Sequence, residues 1–77
     1  MNSLLINLQE GVSAKITELQ GGHGFKNQLR SMGLLEGKTI SIVTYHPFKG
    51  PIVIRVEGKM ITLGRGFASR IMVEIAD

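Results

Sequence analysis

Apolar and polar residues alternate over several short stretches of the chain, and in one segment the apolar residues recur at helical spacing instead. Between Ile52 and Glu57, Ile52, Ile54 and Val56 share one face while Val53, Arg55 and Glu57 share the other, the pattern of a strand buried on one side. Thr39–Tyr45, Pro51–Glu57, Met60–Leu63 and Ile71–Ile75 all carry this alternation or the β-branched content of strands, and in the last Ile71, Val73 and Ile75 point inward. A further strand is expected over Val12–Leu19, with Val12, Ala14 and Ile16 on one face and Gln20-Gly21-Gly22 closing it. Phe25, Leu29 and Met32 fall at i, i+4 and i+7, with Lys26, Asn27, Gln28 and Arg30 on the remaining arc. That spacing predicts one short amphipathic helix between the first two strands. Gly33 suits the left-handed residue that follows a helix, and Leu34 the apolar contact just beyond it, which places Leu34 in the core.

The punctuation between these elements is tight. Glu57-Gly58-Lys59 reads as a hairpin turn needing a residue at positive φ. His46-Pro47-Phe48-Lys49-Gly50 forms a longer loop, and Gly64-Arg65-Gly66 interrupts the pattern before Phe67-Ala68-Ser69-Arg70, which is long enough for one helical or 3₁₀ turn. The sum is a mainly β fold: a small SH3-like β-barrel of about five strands, with one short α-helix between strands one and two and a helical turn before the last strand. Barrel closure would shield the strand edges that an open sheet exposes. No linker, repeat or low-complexity stretch divides residues 1–77, which read as a single domain.

Composition narrows the function classes. The absence of Cys removes disulfides, Cys-based zinc sites and thiol nucleophiles, and agrees with a reducing compartment. Apolar runs such as Leu4–Ile6 and Ile52–Ile54 are three residues long, far short of the roughly 18 that cross a bilayer. The N-terminus has neither a basic leader nor a sustained apolar stretch, so a cytoplasmic location is expected. A net charge of +3, spread along the chain, permits contact with acidic surfaces without demanding it.

Candidate chemistry is sparse. Gly33-Leu34-Leu35-Glu36-Gly37-Lys38-Thr39 imitates a phosphate-binding loop but is one residue short between its glycines, and it follows a helix where such a loop precedes one. Gly22-x-Gly24 and Gly64-x-Gly66 lack the βαβ unit of a dinucleotide fingerprint. His23 and His46 are the only histidines and the weak candidates for Fe²⁺ or another divalent metal. Neither has a partner at ligand spacing, so no resident cofactor is expected. None of Ser3, Ser13, Ser31, Ser41 and Ser69 sits in a catalytic arrangement, and the expectation is a protein that is not an enzyme. Lys26, Arg30, Lys49, Arg65 and Arg70 could converge as a basic patch, but only Tyr45 and Phe48 are available as stacking platforms, so nucleic-acid binding is the rival reading rather than the leading one. Phe48 is a large apolar residue between two prolines in an exposed connection. It either folds back over the barrel mouth or faces a partner protein.

In order along the chain, Leu8-x-x-Gly11, Ala14-Lys15-Ile16, Leu29-Arg30-Ser31-Met32-Gly33-Leu34-x-x-Gly37, Gly50-Pro51-Ile52, Leu63-x-Arg65 and Ala68-x-x-Ile71-x-Val73 form a series that resembles the FeoA family, from Leu5 to Ile75. The resemblance implies an SH3-like barrel with added helices. It also implies a small cytosolic accessory protein of bacterial ferrous iron transport, acting on the FeoB transporter through that protein's cytoplasmic GTP-binding region. A similar barrel forms the C-terminal domain of iron-dependent repressors, whose helix-turn-helix this chain has no room for.

Three departures bear on contacts. Gln28 stands where the family often has Arg, the acidic residue often found between Gly50 and Pro51 is missing, and Leu63-Gly64-Arg65-Gly66-Phe67-Ala68 lacks one cation and one carboxylate of the usual pattern. Ionic partner contacts at those positions do not transfer. The Tyr45–Pro51 loop is expected to form part of the docking surface, with Tyr45, Phe48 and Lys49 as its contacts and Arg30 and Arg65 as charged neighbours. A nucleic-acid-binding barrel and a direct transition-metal-binding regulator are the alternatives, and self-association is compatible with all three.

Overall fold

A computed structural model describes residues 2–75 and shows six strands and two short helices. Strand β1 (Asn2–Leu4) runs into a 3₁₀ turn (Leu5–Asn7), followed by β2 (Ser13–Leu19), α1 (His23–Ser31), β3 (Thr39–Tyr45), β4 (Ile52–Val56), β5 (Lys59–Leu63), α2 (Arg65–Ala68) and β6 (Ile71–Ile75). Among the described residues no helix is long and apolar enough to cross a membrane.

The alternation expected of β4 is met: Ile52, Ile54 and Val56 are buried and Arg55 is exposed. In β6, Ile71 and Val73 are buried, while Ile75, at the strand end, is half-buried. Helix α1 ends as its sequence predicts. Gly33, at φ 87°, lets its own N–H reach the Arg30 carbonyl at 3.0 Å and the Leu34 N–H reach the Leu29 carbonyl at 3.0 Å. This is the paired bond of a Schellman cap, and Leu34 is fully buried beyond it. Only Leu29 of the expected helical stripe is fully buried; Phe25 and Met32 pack against the core from its rim.

Two expectations fail. The strands form one antiparallel sheet in the order β1-β6-β2-β3-β4-β5, and β1 and β5 do not pair, so the sheet is open and the expected closed barrel does not form. The strand count is six, because Asn2–Leu4 pairs with Glu74, Val73 and Met72 of β6. A three-residue segment is too short to display a period, and it is a strand only because β6 offers it an edge. The 3₁₀ turn that follows buries Leu5 completely.

Register shifts between Ile16 and Glu18 in β2 and between Ile42 and Thr44 in β3 insert bulges, which bend and twist a sheet. The core combines the inner faces of β2 to β6 with Leu5, Leu8, Leu29, Leu34 and Ala68. Every buried side chain among the described residues is aliphatic and none is polar. Stability therefore rests on burial and packing rather than on internal polar networks.

Truncating Leu29→Ala, a fully buried side chain, is expected to cost about 2–5 kcal/mol. Replacing Gly33→Ala, which puts a side chain at positive φ in open space, is expected to cost about 1 kcal/mol. Urea unfolding of both variants checks the ranking.

Candidate interaction site

The β3–β4 hairpin carries the most exposed apolar side chain of the described residues. Tyr45 pairs with Ile52, the His46 N–H reaches the Pro51 carbonyl at 3.1 Å, and the Gly50 N–H closes a turn on the Pro47 carbonyl at 3.2 Å. Phe48 and Lys49 occupy the two central positions at φ 59° and 60°. Two successive positive φ values match the right-handed twist of the flanking strands, but they are easy only for glycine and asparagine. For ordinary side chains the left-handed region costs about 1–2 kcal/mol per residue. Phe48 is 100% exposed, so it does not fold back over the core.

The base of this turn is held from two directions. Arg65, at the start of α2, donates from Nε to the Gly50 carbonyl at 3.0 Å, and its guanidinium carbon lies 5.9 Å from the Tyr45 ring centroid. Gly50 fits here with little room to spare: a Cβ would sit 3.0 Å from His46 Cβ and 3.2 Å from the Pro47 carbonyl oxygen, so the turn would have to shift by a few tenths of an ångström. From the other side, the Tyr45 hydroxyl donates to the Leu8 carbonyl, tying the hairpin to the segment that follows the 3₁₀ turn. Burial raises the Tyr45 phenol above its ordinary pKa; Arg65 opposes that shift and Glu10 adds to it.

Glu10 completes the support. The β2–β3 ladder ends where Gly11 donates to Ile42, which leaves the outer part of β3 without a strand on its β2 side, while β4 still pairs on the other. One Glu10 carboxylate oxygen accepts from the Tyr45 N–H at 2.9 Å and from the Thr44 hydroxyl at 2.9 Å. A side chain thus stands in for the missing strand. These bonds, the backbone one foremost, hold the Glu10 carboxyl below the usual carboxylate range.

The structure brings Tyr45, Phe48, Lys49 and Arg65 together. Tyr45 and Arg65 are half-buried and form the base, while Phe48 and Lys49 project. Arg30 is not part of this cluster. It pairs with Glu36 at 3.5 Å and borders a groove of about 240 Å³, lined by Met32, Val56, Glu57 and Lys59 at the far end of the β3–β4 ladder. His23 is exposed at the start of α1 and His46 at the hairpin turn, and among the described residues no three His, Asp or Glu side chains gather as metal ligands. Arg70 lies over Phe25 at 5.0 Å, and Phe25 stacks on Phe67 at 5.2 Å between ring centroids. Sequence reasoning missed Glu10, because an exposed glutamate beside a turn looks like any solvated charge.

The clamp sets a pH dependence. Because the folded-state pKa of Glu10 lies below its unfolded value of 4.5, its contribution is present above that value and is lost as pH falls through the folded one. Glu10→Gln is expected to flatten the loss of stability as pH falls through 4.5 and below, read from urea midpoints. Tyr45→Phe, which removes the hydroxyl bond, is expected to cost about 1 kcal/mol in the same assay.

Residues 4–75 match the FeoA domain model. An Fe(2+) transport protein A of Methanocaldococcus jannaschii is 33% identical over 69 residues, covering 90% of this chain and 82% of that protein. In Porphyromonas gingivalis, a fusion of Fe(2+) transport protein A with the Fe(2+) transporter FeoB is 32% identical over 71 residues; the match spans 92% of this chain and 8% of the fusion. Among solved structures, the crystal structure of an iron uptake regulatory protein, FeoA, superposes with a TM-score of 0.92 at 37% identity, covering 99% of this chain and 100% of that one. The chain, matched over residues 4–75 in sequence and over 99% of its length in fold, belongs to the FeoA domain family.

Proposed function

We propose that this protein is a non-enzymatic accessory module of ferrous iron transport that docks on the cytoplasmic GTP-binding region of a FeoB-type transporter and modulates it, with the β3–β4 turn as a principal contact. The observation that carries the reading is Phe48, fully exposed at positive φ on a turn whose base is fixed by Arg65, Tyr45 and Glu10. A preorganised aromatic anchor loses little conformational freedom on binding, which is how small contacts reach useful affinity. Lys49 beside it adds a cation that an acidic partner surface would attract.

The fusion in Porphyromonas gingivalis supports the choice of partner. Joining two segments in one chain gives them a high effective concentration, and a separate protein must replace that tether with contacts of its own. No step in this reading needs a resident metal: ferrous iron is the transporter's cargo, and this chain acts on the transporter. The location that follows is the cytosolic face of the membrane.

Replacing Phe48 and Lys49 together by Ala is expected to weaken binding to the soluble region of FeoB about thirtyfold, the loss of one hot-spot anchor, and to lower FeoB-dependent iron uptake. Unchanged uptake at equal protein levels removes the turn from the docking surface. Phe48→Gly separates the two roles of this position. It relieves the left-handed backbone, so the unfolding midpoint should rise while binding falls.

A further inference from the structure

The open sheet leaves β5 as an edge. In the two-residue hairpin joining β4 to β5, Val56 pairs with Lys59, Ile54 with Ile61 and Ile52 with Leu63. These are the pairs that exchange both backbone bonds, so Met60 and Thr62 aim their N–H and C=O groups away from β4. The neighbouring ladder agrees in phase: His46 donates to Pro51, and alternate pairs inward from there carry the β3–β4 bonds. Among the described residues nothing pairs with the outer side of β5, and the strand contains neither proline nor bulge to blunt it.

We propose that β5 is a self-association edge, at which a second copy of this chain adds its own β5 antiparallel about a twofold axis through Ile61. The register is self-complementary. A twofold at Ile61 sets Met60 opposite Thr62 of the second copy and Thr62 opposite its Met60. All four outward N–H groups then meet outward carbonyls, as an isologous interface requires. Met60, one of the two large hydrophobic side chains exposed among the described residues at 58%, lies on the face where it is covered by the second copy's Thr62.

In this register Lys59 falls opposite Leu63 of the second copy, so no like charges face each other directly across the two strands. Met60 and Thr62 belong to β5 and Phe48 and Lys49 to the β3–β4 turn, so this association and the docking proposed above are tested by different substitutions.

Sedimentation equilibrium of the full chain from about 10 µM to about 1 mM at about 0.15 M salt is expected to show a monomer–dimer equilibrium. The Met60 and Thr62 amides should become protected from hydrogen exchange as concentration rises. Thr62→Pro removes one outward donor per chain without touching the β4 ladder and should weaken association about thirtyfold, whereas Thr62→Val, which keeps the N–H, should not. Phe48→Ala should dimerise as the wild type does. A monomer throughout the range, or Met60 and Thr62 amides whose exchange is independent of concentration, overturns the proposal whether or not Thr62→Pro folds. A folded Thr62→Pro that associates as the wild type does also overturns it.

Discussion

A single sheet has one inner face to give to a core, and here that core is aliphatic throughout, with no buried polar group among the described residues to fix its geometry. The sheet must bend until Ile16, Ile42, Ile54, Leu63 and Val73 can share their neighbours with Leu5, Leu8, Leu29 and Leu34. Bulges in β2 and β3 supply that bend. Each has a local consequence, and the one in β3 leads to the candidate site. Beyond it β2 no longer accompanies β3, and the Tyr45 N–H would lose its partner. An unpaired backbone donor is costly to leave without water or protein, and Glu10 meets the demand. At this exposed rim Glu10 takes the place that water would otherwise fill, and its carboxylate ties the turn carrying Phe48 to the segment before β2.

Much of this was legible in the amino-acid sequence, and what was missed follows one physical line. Strands with a dry face and a wet face announce themselves, and β3 and β6 match their expected boundaries residue for residue. The Gly33–Leu34 cap was equally readable, because its bonds are local. Features made by non-local contact were not readable. Asn2–Leu4 becomes a strand through β6, some seventy positions away, and α2 begins at Arg65, ahead of the expected turn, where the Arg65 side chain meets Gly50. The same limit explains the barrel. Tight turns and alternating strands demand a curved sheet, but whether its first and last strands meet depends on the twist summed over all six. Of the candidate site, the loop was legible and its supports were not: Arg30 has the right charge in the wrong place, and Glu10 has the right place with no sequence signal.

Both proposed contacts use the outside of the molecule. The groove beside Arg30 and Glu57 is smaller than the several hundred cubic ångströms that enclose a typical small-molecule ligand. What the molecule does present is surface: an aromatic tip on the β3–β4 turn and an unpaired edge on β5. Both are suited to binding other chains, one by a side chain and one by backbone. The likeness to a segment of a transporter fusion fits a module of this kind, whose effect depends on what it touches.

Among the described residues Phe48, Lys49 and Glu57 are the non-glycine positions in the left-handed region, and Glu57 and Phe48 differ in what surrounds them. Glu57, at φ 50°, sits in the β4–β5 turn, where its carboxylate is engaged by the Lys38 ammonium, and the hydrogen bond from that ammonium is the main reason the Glu57 carboxyl is held below its ordinary range. Its backbone cost has a local return. Phe48 bears a comparable cost with no contact to offset it, since its ring lies wholly in water. Glycine or asparagine would make the same turn more cheaply and expose no apolar ring. A phenyl ring that weakens the folded state at its own position is what the proposed contact with a partner would account for, since nothing among the described residues offsets its backbone cost as Lys38 does for Glu57.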